Sequence, residues 1–540
     1  MISGAEIMVK CLEAEGVSVV FGYPGAAICP FYDKIYDSEI SHILVRQEQN
    51  AAHSASGYAR CSGRPGVCVA TSGPGATNLI TGLATAYTDS IPMVAITGQV
   101  KSDLLGRDVF QEADITGACE PFVKHSYLVN KTEDLPRVFK EAFHIASTGR
   151  QGPVLIDIPM DIQTNEIENF VYPDEVNIIG YKPNTKGHAI QVKRAIEAIQ
   201  NSKRPIIVSG GGVLSSGVKL QFQDFAEKTK IPVISTMMGI GVMPSDHDLY
   251  LGMLGTHGKR VANRALHEAD LVIVCGARLG DRAVASTHQM SENTTVIHID
   301  IDPAEIGKNV KTEIPIVGDM RNVMGMLIEN IGDYTVPTQW SETVKIWKKD
   351  LFRTPPVFDG YVEPRTLVRN LSSMFRSKAI LVADVGQNQI WCANNFRIRE
   401  GRFLTTGGMG TMGYSIPAAV GAKFARPDRD VIVICGDGSF QMGMNELATI
   451  AGNNLNIKII IMRNTRLGMV RELQDMHYES RHSATILQGD PDFLKIAEAY
   501  GIDHAEASSN EEAEEIIKGI VDSEKPFILV CNVYPDTPSI

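Results

Sequence analysis

Short apolar runs that close on glycine, alternating with stretches of helical periodicity, recur along the whole chain. The clearest case is Val431–Asn464. Its apolar run from Val431 to Cys435 has the composition of a strand buried on both faces and stops at Gly436-Asp437-Gly438. A helix-like pattern with apolar Met442, Leu447 and Ile450 follows, Asn453-Asn454 breaks it, and a second run, Ile457–Met462, leads to Asn464. A strand–helix–strand unit makes the two strands parallel and adjacent. Asp437 and Asn464 then stand together at carboxyl ends of strands, where open α/β sheets place ligands.

The same alternation organises the rest. In the first third, a helix over Ala5–Glu15 precedes strands at Val17–Phe21, Ile43–Val45, Val67–Ala70 and Met93–Thr97. Gly25 lies in a loop that permits close backbone approach, and the small residues of Asn50–Arg60 suggest a tightly packed helix. Thr164–Lys186 is irregular and reads as a linker. Beyond it, Pro205–Ser209, Pro232–Ser235, Leu271–Cys275 and Val296–Ile301 read as buried strands, each closing on glycine or a turn residue. Ser341–Pro356 reads as a helix stopped by its prolines, followed by strands at Ala379–Val382 and Phe527–Val533. Gly408–Gly413 fits G-x-G-x-x-G, but no clear buried strand precedes it, so the pattern is weak. The fold expected is α/β, with three doubly wound parallel-sheet domains at 1–165, 188–330 and 360–540.

Composition narrows the function. A chain of 540 residues is too long for one core. A net charge of −12 argues against nucleic acid as the main partner, since phosphate binding needs a basic face. No apolar run nears the roughly 18–20 residues a membrane span needs. The N-terminus is amphipathic and unlike a signal peptide. The nine cysteines are scattered without a C-x-x-C pair, which suits a cytoplasmic protein without a disulfide framework.

The residues themselves leave two readings of the Val431–Asn464 unit. Gly-Asp-Gly and Asn464 can be a turn and a strand end, or one carboxylate, one amide carbonyl and a glycine turn can hold Mg²⁺ with a diphosphate. Glu48, where a strand ends and a helix begins, can likewise favour a helix N-terminus or pair with Arg46. The spacing of Gly-Asp-Gly, twenty-five residues and Asn resembles the diphosphate–metal motif of thiamine-diphosphate (ThDP) enzymes. The block HILVRQEQNAAHSASGYAR…GVCVATSGPGATNLITGLATAYTDSIPMVAITGQV resembles the pyrimidine-binding domain of acetohydroxyacid (acetolactate) synthase catalytic subunits.

That resemblance implies a set of roles. Glu48 would hydrogen-bond the aminopyrimidine ring and promote its imino tautomer, which takes the thiazolium C2 proton. Phe110, Gln111 and Gly25 would line the reacting centre. Val385, Gly386, Gln387, Asn388, Gly410, Gly438, Ser439 and Met442 would contact the cofactor, and Met412 would wedge it into its bent form. Mg²⁺ would be held by Asp437, Asn464 and the backbone carbonyl of Arg466. The segments GGGV, LGMLGTHG, CGARLGDR, VIHIDIDPAEIGKN and IVGD resemble the family's FAD-binding central domain. They make Arg150, Gly210, Gly211, Thr236, Met237, Gly255, His257, Gly276, Arg278, Asp300 and Asp319 candidates for FAD, which does no net redox work in this family. Leu467–Gln488 would close over the site and exclude water. The expected assembly is a homodimer or homotetramer with ThDP between subunits, and a separate small regulatory subunit is compatible with it.

Five residues depart from the family pattern: Gln47 for His, Met160 for Lys, Thr256 for Met, Asn388 for His and Leu473 for Trp. Thr256 and Leu473, with Arg282, correspond to the grip on the second 2-oxo acid. Loss of the Trp removes contact with one methyl group, a discrimination worth only about 1–3 kcal/mol. The leading expectation is decarboxylation of pyruvate and condensation with a second 2-oxo acid, as in branched-chain amino acid biosynthesis, with 2-oxobutyrate no longer strongly preferred. The alternatives are a related carboligase with another acceptor, such as an aldehyde, and a catalytically weak cofactor-binding paralogue with an assembly or regulatory role.

Overall fold

The computed structural model describes residues 1–284, 294–349 and 355–540. Among these, three six-stranded parallel sheets carry the architecture. The first runs Ser41–Leu44, Val19–Gly22, Gly66–Ala70, Met93–Gln99, Pro153–Pro159, His125–Leu128 in spatial order. The second runs Tyr250–Met253, Val233–Ser235, Pro205–Ser209, Leu271–Cys275, Thr295–Asp300, Ile314–Val317. The third runs Arg402–Leu404, Ile380–Ala383, Val431–Gly436, Ile457–Arg463, Phe527–Asn532, Asp503–Ala507. All ladders within them are parallel, which explains why the central strands are apolar without alternation: helices cover both faces.

The strand–helix–strand reading of Val431–Asn464 holds in register, with Val431 opposite Ile457 and Gly436 opposite Met462. Its helical part is broken into Asp437–Gly443, a 3₁₀ turn Met444–Glu446 and Leu447–Gly452. Leu447 and Ile450 are buried, while Met442 is 53% exposed and contributes nothing to that core.

Four expectations need correction. The second sheet has six strands where four were expected, because the short edge strands Tyr250–Met253 and Ile314–Val317 carry weak patterns. A strand, Arg402–Leu404, does precede the Gly408–Gly413 pattern, with Phe403 and Leu404 buried. The next helix begins only at Ser415, so the glycines form a turn and not the start of a helix. The irregular segment after Thr164 contains a two-residue strand, Glu166–Ile167, antiparallel to Ile2–Ser3. The helix expected over Ser341–Pro356 is observed as Thr338–Lys349, and its expected continuation at 350–354 lies outside the described residues.

The first and third sheets share one apolar core. Helices Glu48–Ser62 and Ser415–Ala425 meet there backbone to backbone, and a Cβ on Gly57 or Gly421 would collide with the carbonyl of Ala418 or Ser54. The small residues of the first helix are thus the means by which two sheets are brought close. The second sheet has a core of its own.

Candidate active site

The strand Val431–Gly436 delivers Asp437 to the first turn of a helix, capped by Ser439, whose hydroxyl accepts the Gly436 N–H at 3.1 Å. Asp437 is 1% exposed. Its carboxylate accepts N–H bonds from Thr465 (2.6 Å), Gly438 (3.0 Å) and Asn464 (3.1 Å). Burial nevertheless pushes its pKa up to about 6, and the nearby carboxylate of Asp490 adds to the shift. The Asn464 amide oxygen accepts the Arg466 N–H at 3.1 Å, and its NH₂ donates to Gln387 at 3.0 Å. Arg466 pairs with Ile486 in an antiparallel bridge that holds its backbone. Asp437, Asn464 and the Arg466 carbonyl are all oxygen donors, a set suited to a hard cation that would offset the buried carboxylate's charge. No group of three or more His, Cys, Asp or Glu side chains gathers as a metal site, here or elsewhere, among the described residues.

The neighbouring strand Ile380–Ala383 ends at Asp384, which is buried and accepts N–H bonds from Val385 (2.9 Å), Gly413 (3.0 Å) and Ser415 (2.8 Å). Its burial raises its pKa. Asp384 therefore fixes the turn through Gly410 and Met412 against the loop Val385-Gly386-Gln387-Asn388. Gly410 takes a left-handed φ of 66°, and half-buried Met412 leans toward Gly438. Asn388 points inward, donating to the carbonyl of Asp384 at 2.7 Å. The Gln387 NH₂ donates to Glu472 at 2.8 Å and to the Thr537 carbonyl at 2.7 Å.

In the first sheet, Glu48 opens the helix Glu48–Ser62 and accepts from the Asn78 amide at 2.9 Å. Thr71 lies between Gly25 and Gly75, which leave room for it, and its hydroxyl is buried without a partner. Phe110 is 86% exposed, and Gln111 holds a left-handed φ of 59° beside Gly73. No hydrogen bond among the described residues joins Glu48 to Asp437, Asn464 or Met412. Their surroundings do meet within one chain: the Thr85 and Thr411 hydroxyls lie 2.8 Å apart, and Asp89 accepts the N–H groups of Gly407 and Gly408.

At the strand ends of the second sheet, Gly210 and Gly276 approach so closely that a Cβ on Gly210 would strike the Gly276 carbonyl. Thr236 and Met237 follow the neighbouring strand, and Gly211 packs on Met238. Asp300 is buried at the end of its strand, with a pKa pushed up to about 6 by burial. Asp319 caps the helix Met320–Asn330 through the Arg321 N–H at 2.8 Å. The Arg278 carbonyl accepts from Asn309 at 2.8 Å. Arg150 crosses from the first sheet to pair with Asp302 (3.2 Å) and Glu305 (2.8 Å).

The Thr256 N–H donates to the Arg282 carbonyl at 3.0 Å beside Gly255, whose φ is 106°. The Arg282 guanidinium is 75% exposed. His257 feels burial, Arg282 and Glu472, and its pKa is lowered. Glu472 belongs to the helix Gly468–His477, as does Leu473, which is 40% exposed. This helix and the Gly255–Arg282 region therefore lie within electrostatic reach of each other. Asp384, Asn78, Glu446 and Glu472 were not singled out from sequence. Asp384 alone had a signal, an acidic residue closing an apolar run; the others act through distant partners.

Comparison with known proteins matches the chain to three family descriptions. They are "Thiamine pyrophosphate enzyme, N-terminal TPP binding domain" over residues 2–118, the "central domain" over 192–327 and the "C-terminal TPP binding domain" over 384–531. The chain is 46% identical to the "Probable acetolactate synthase large subunit" of Methanocaldococcus jannaschii, covering 99% of this chain and 92% of that one. It is 45% identical to the protein of the same description from Methanococcus aeolicus, covering 99% and 93%. Identity to the "Acetolactate synthase large subunit" of Lactococcus lactis subsp. lactis is 42%, covering 98% and 92%.

Proposed function

The chain belongs to the acetolactate synthase family of thiamine pyrophosphate enzymes, and from that premise we infer the roles of its residues. It is a ThDP-dependent carboligase that joins the two-carbon unit of pyruvate to a second 2-oxo acid. ThDP supplies the electron sink for decarboxylation. Asp437, Asn464 and the Arg466 carbonyl would bind Mg²⁺, with Gln387, Gly438 and Ser439 toward the diphosphate and Met412 beneath the cofactor. Glu48 would hold a proton at the pyrimidine, and Gly25, Phe110 and Gln111 would shape the reacting centre. The observation that carries this reading is the Asp437 carboxylate, buried with a raised pKa among oxygen donors.

Glu48 bonds to Asn78 and not to the Asp437 group, and Phe110 is exposed; both support a site completed by a second copy, hence a homodimer at least. The relatives' description as large subunits supports a small-subunit partner. The raised pKa of Asp300 and the tight glycine approach at Gly210 and Gly276 support a dinucleotide crevice, for which we propose FAD. Nine free cysteines suit a reducing, cytoplasmic compartment. No helix among the described residues is long and apolar enough to cross a membrane.

For the acceptor, exposed Thr256 and part-exposed Leu473 leave Arg282 as the main anchor for a carboxylate, with little to select an extra methyl group. Incubation with ThDP, Mg²⁺ and pyruvate should yield acetolactate, and visible flavin absorbance should accompany the purified protein. Product formed only when an aldehyde is added would move the reading to the alternative carboligase. Bound ThDP without product from any acceptor would refute the enzymatic reading.

A further inference from the structure

Glu446 is a fully buried carboxylate, 0% exposed, that the reading above does not use. It lies in the 3₁₀ turn Met444–Glu446, one helical turn past the segment that Asp437 opens. Its side chain leaves the third sheet's unit and reaches the first. One oxygen accepts the backbone N–H of Arg46 at 2.7 Å and the Asn50 amide at 3.0 Å. The other accepts the Thr449 hydroxyl at 2.5 Å. The Asn50 amide is further held by the Asn445 side chain at 3.1 Å. Arg46 and Asn50 flank Glu48 by two residues on either side.

The turn needs such support. Gln47 stands at the helix cap and makes no side-chain capping bond; its carbonyl accepts the Asn50 and Ala51 N–H groups, but among the described residues the Arg46 N–H and the Asn50 side chain are met only from Glu446 and Asn445. A carboxylate suits the task because it only accepts: two oxygens face three donors. An amide in its place would turn an NH₂ toward donors and leave one buried group unsatisfied. Burial raises the Glu446 pKa, while its three donors and the Arg46 charge pull it down.

We propose that Glu446 is a positioning residue for Glu48: it grips both flanks of the Arg46–Asn50 turn from the metal-bearing unit and so sets the direction of the glutamate between them. This rests on Glu48 being the pyrimidine-side glutamate. The contact is more than cement between sheets, because the helix pair Glu48–Ser62 and Ser415–Ala425 already joins them along its length.

The test uses the full chain carrying E446Q, with E446D as a second variant that keeps the charge but withdraws it by one methylene. Amide hydrogen exchange is followed at Arg46 in protein free of cofactor. C2–H exchange of bound ThDP is followed in loaded protein, beside E48Q. We expect Arg46 to exchange about tenfold faster in both variants, as loss of one buried hydrogen bond implies, with amides of the second sheet unchanged. C2–H exchange should fall about tenfold or more, a change of about 1.4 kcal/mol in barrier, while ThDP affinity stays within a few-fold. An unchanged Arg46 amide in E446D overturns the proposal. A loosened turn with wild-type C2–H exchange also overturns it and leaves Glu446 as structural cement. Wild-type C2–H exchange in E48Q would instead overturn the role of Glu48, a failure separable because the Arg46 amide is read without cofactor.

Discussion

Thr465 donates its backbone N–H to the Asp437 carboxylate across 2.6 Å, and it does so from a left-handed conformation with φ of 56°. A β-branched residue avoids that region, and holding it there costs on the order of 1–3 kcal/mol. The strain is stored where the candidate metal ligands converge. Because the carboxylate only accepts, Asp437→Asn would turn a donor toward the N–H groups of Thr465 and Asn464. Mg²⁺-dependent ThDP binding, measured by titration calorimetry, should weaken by roughly a hundredfold, equivalent to about 2.7 kcal/mol.

Glu48 bonds to Asn78, and the Arg46–Asn50 turn around it is fixed from outside. Replacing it by glutamine keeps the shape and the Asn78 contact but removes the acid. Steady-state turnover of pyruvate should fall by about 10²–10⁴, the usual range for a lost proton-transfer group, with ThDP affinity little changed. A variant within threefold of wild type would remove Glu48 from the chemistry.

Leu473 follows Glu472 on the helix Gly468–His477, and both Glu472 and Arg282 act on His257. Leu473→Trp restores aromatic area at the acceptor side. In competition between pyruvate and 2-oxobutyrate, the ratio of acetohydroxybutyrate to acetolactate should rise by roughly tenfold, within the 1–3 kcal/mol that a methyl group can supply. An unchanged ratio would place acceptor choice elsewhere.

Asp157 is buried and accepts the Thr97 hydroxyl at 2.6 Å and the Gln99 amide at 2.9 Å. The same Gln99 amide donates to Ala113, behind the Phe110–Gln111 segment. Burial raises the Asp157 pKa from 3.8 to about 7. The folded state thus holds a proton that the unfolded chain releases across that window. Stability should therefore fall as pH rises from about 4 to 7, with the full penalty present above 7. Asp157→Asn should flatten this contribution, and melting temperature measured from pH 5 to pH 8 checks it.

Sequence reading reached furthest where the signal was local. Leu271–Cys275 and Pro205–Ser209 are strands at the residues their apolar runs marked, because burial on both faces excludes polar residues from them. It failed at edges. His125–Leu128 and Asp503–Ala507 flank their sheets with mixed exposure, so no run announced them. Met442 matched a helical period yet lies exposed, because the helix breaks at Gly443 before that period is used.

The sequence by itself determined that Asp437 and Asn464 would stand side by side, since strand, helix and strand in succession admit one parallel arrangement. It also determined the family, through spacings that local chain geometry preserves. Only the tertiary structure decided that Asp384 would tie the Gly410–Met412 turn, that Glu446 would reach Arg46 and Asn50, and that Glu48 and Asp437 would share no bond within one chain. Such contacts join residues hundreds of positions apart, and no periodicity of the chain encodes a hydrogen bond made only after two sheets have packed.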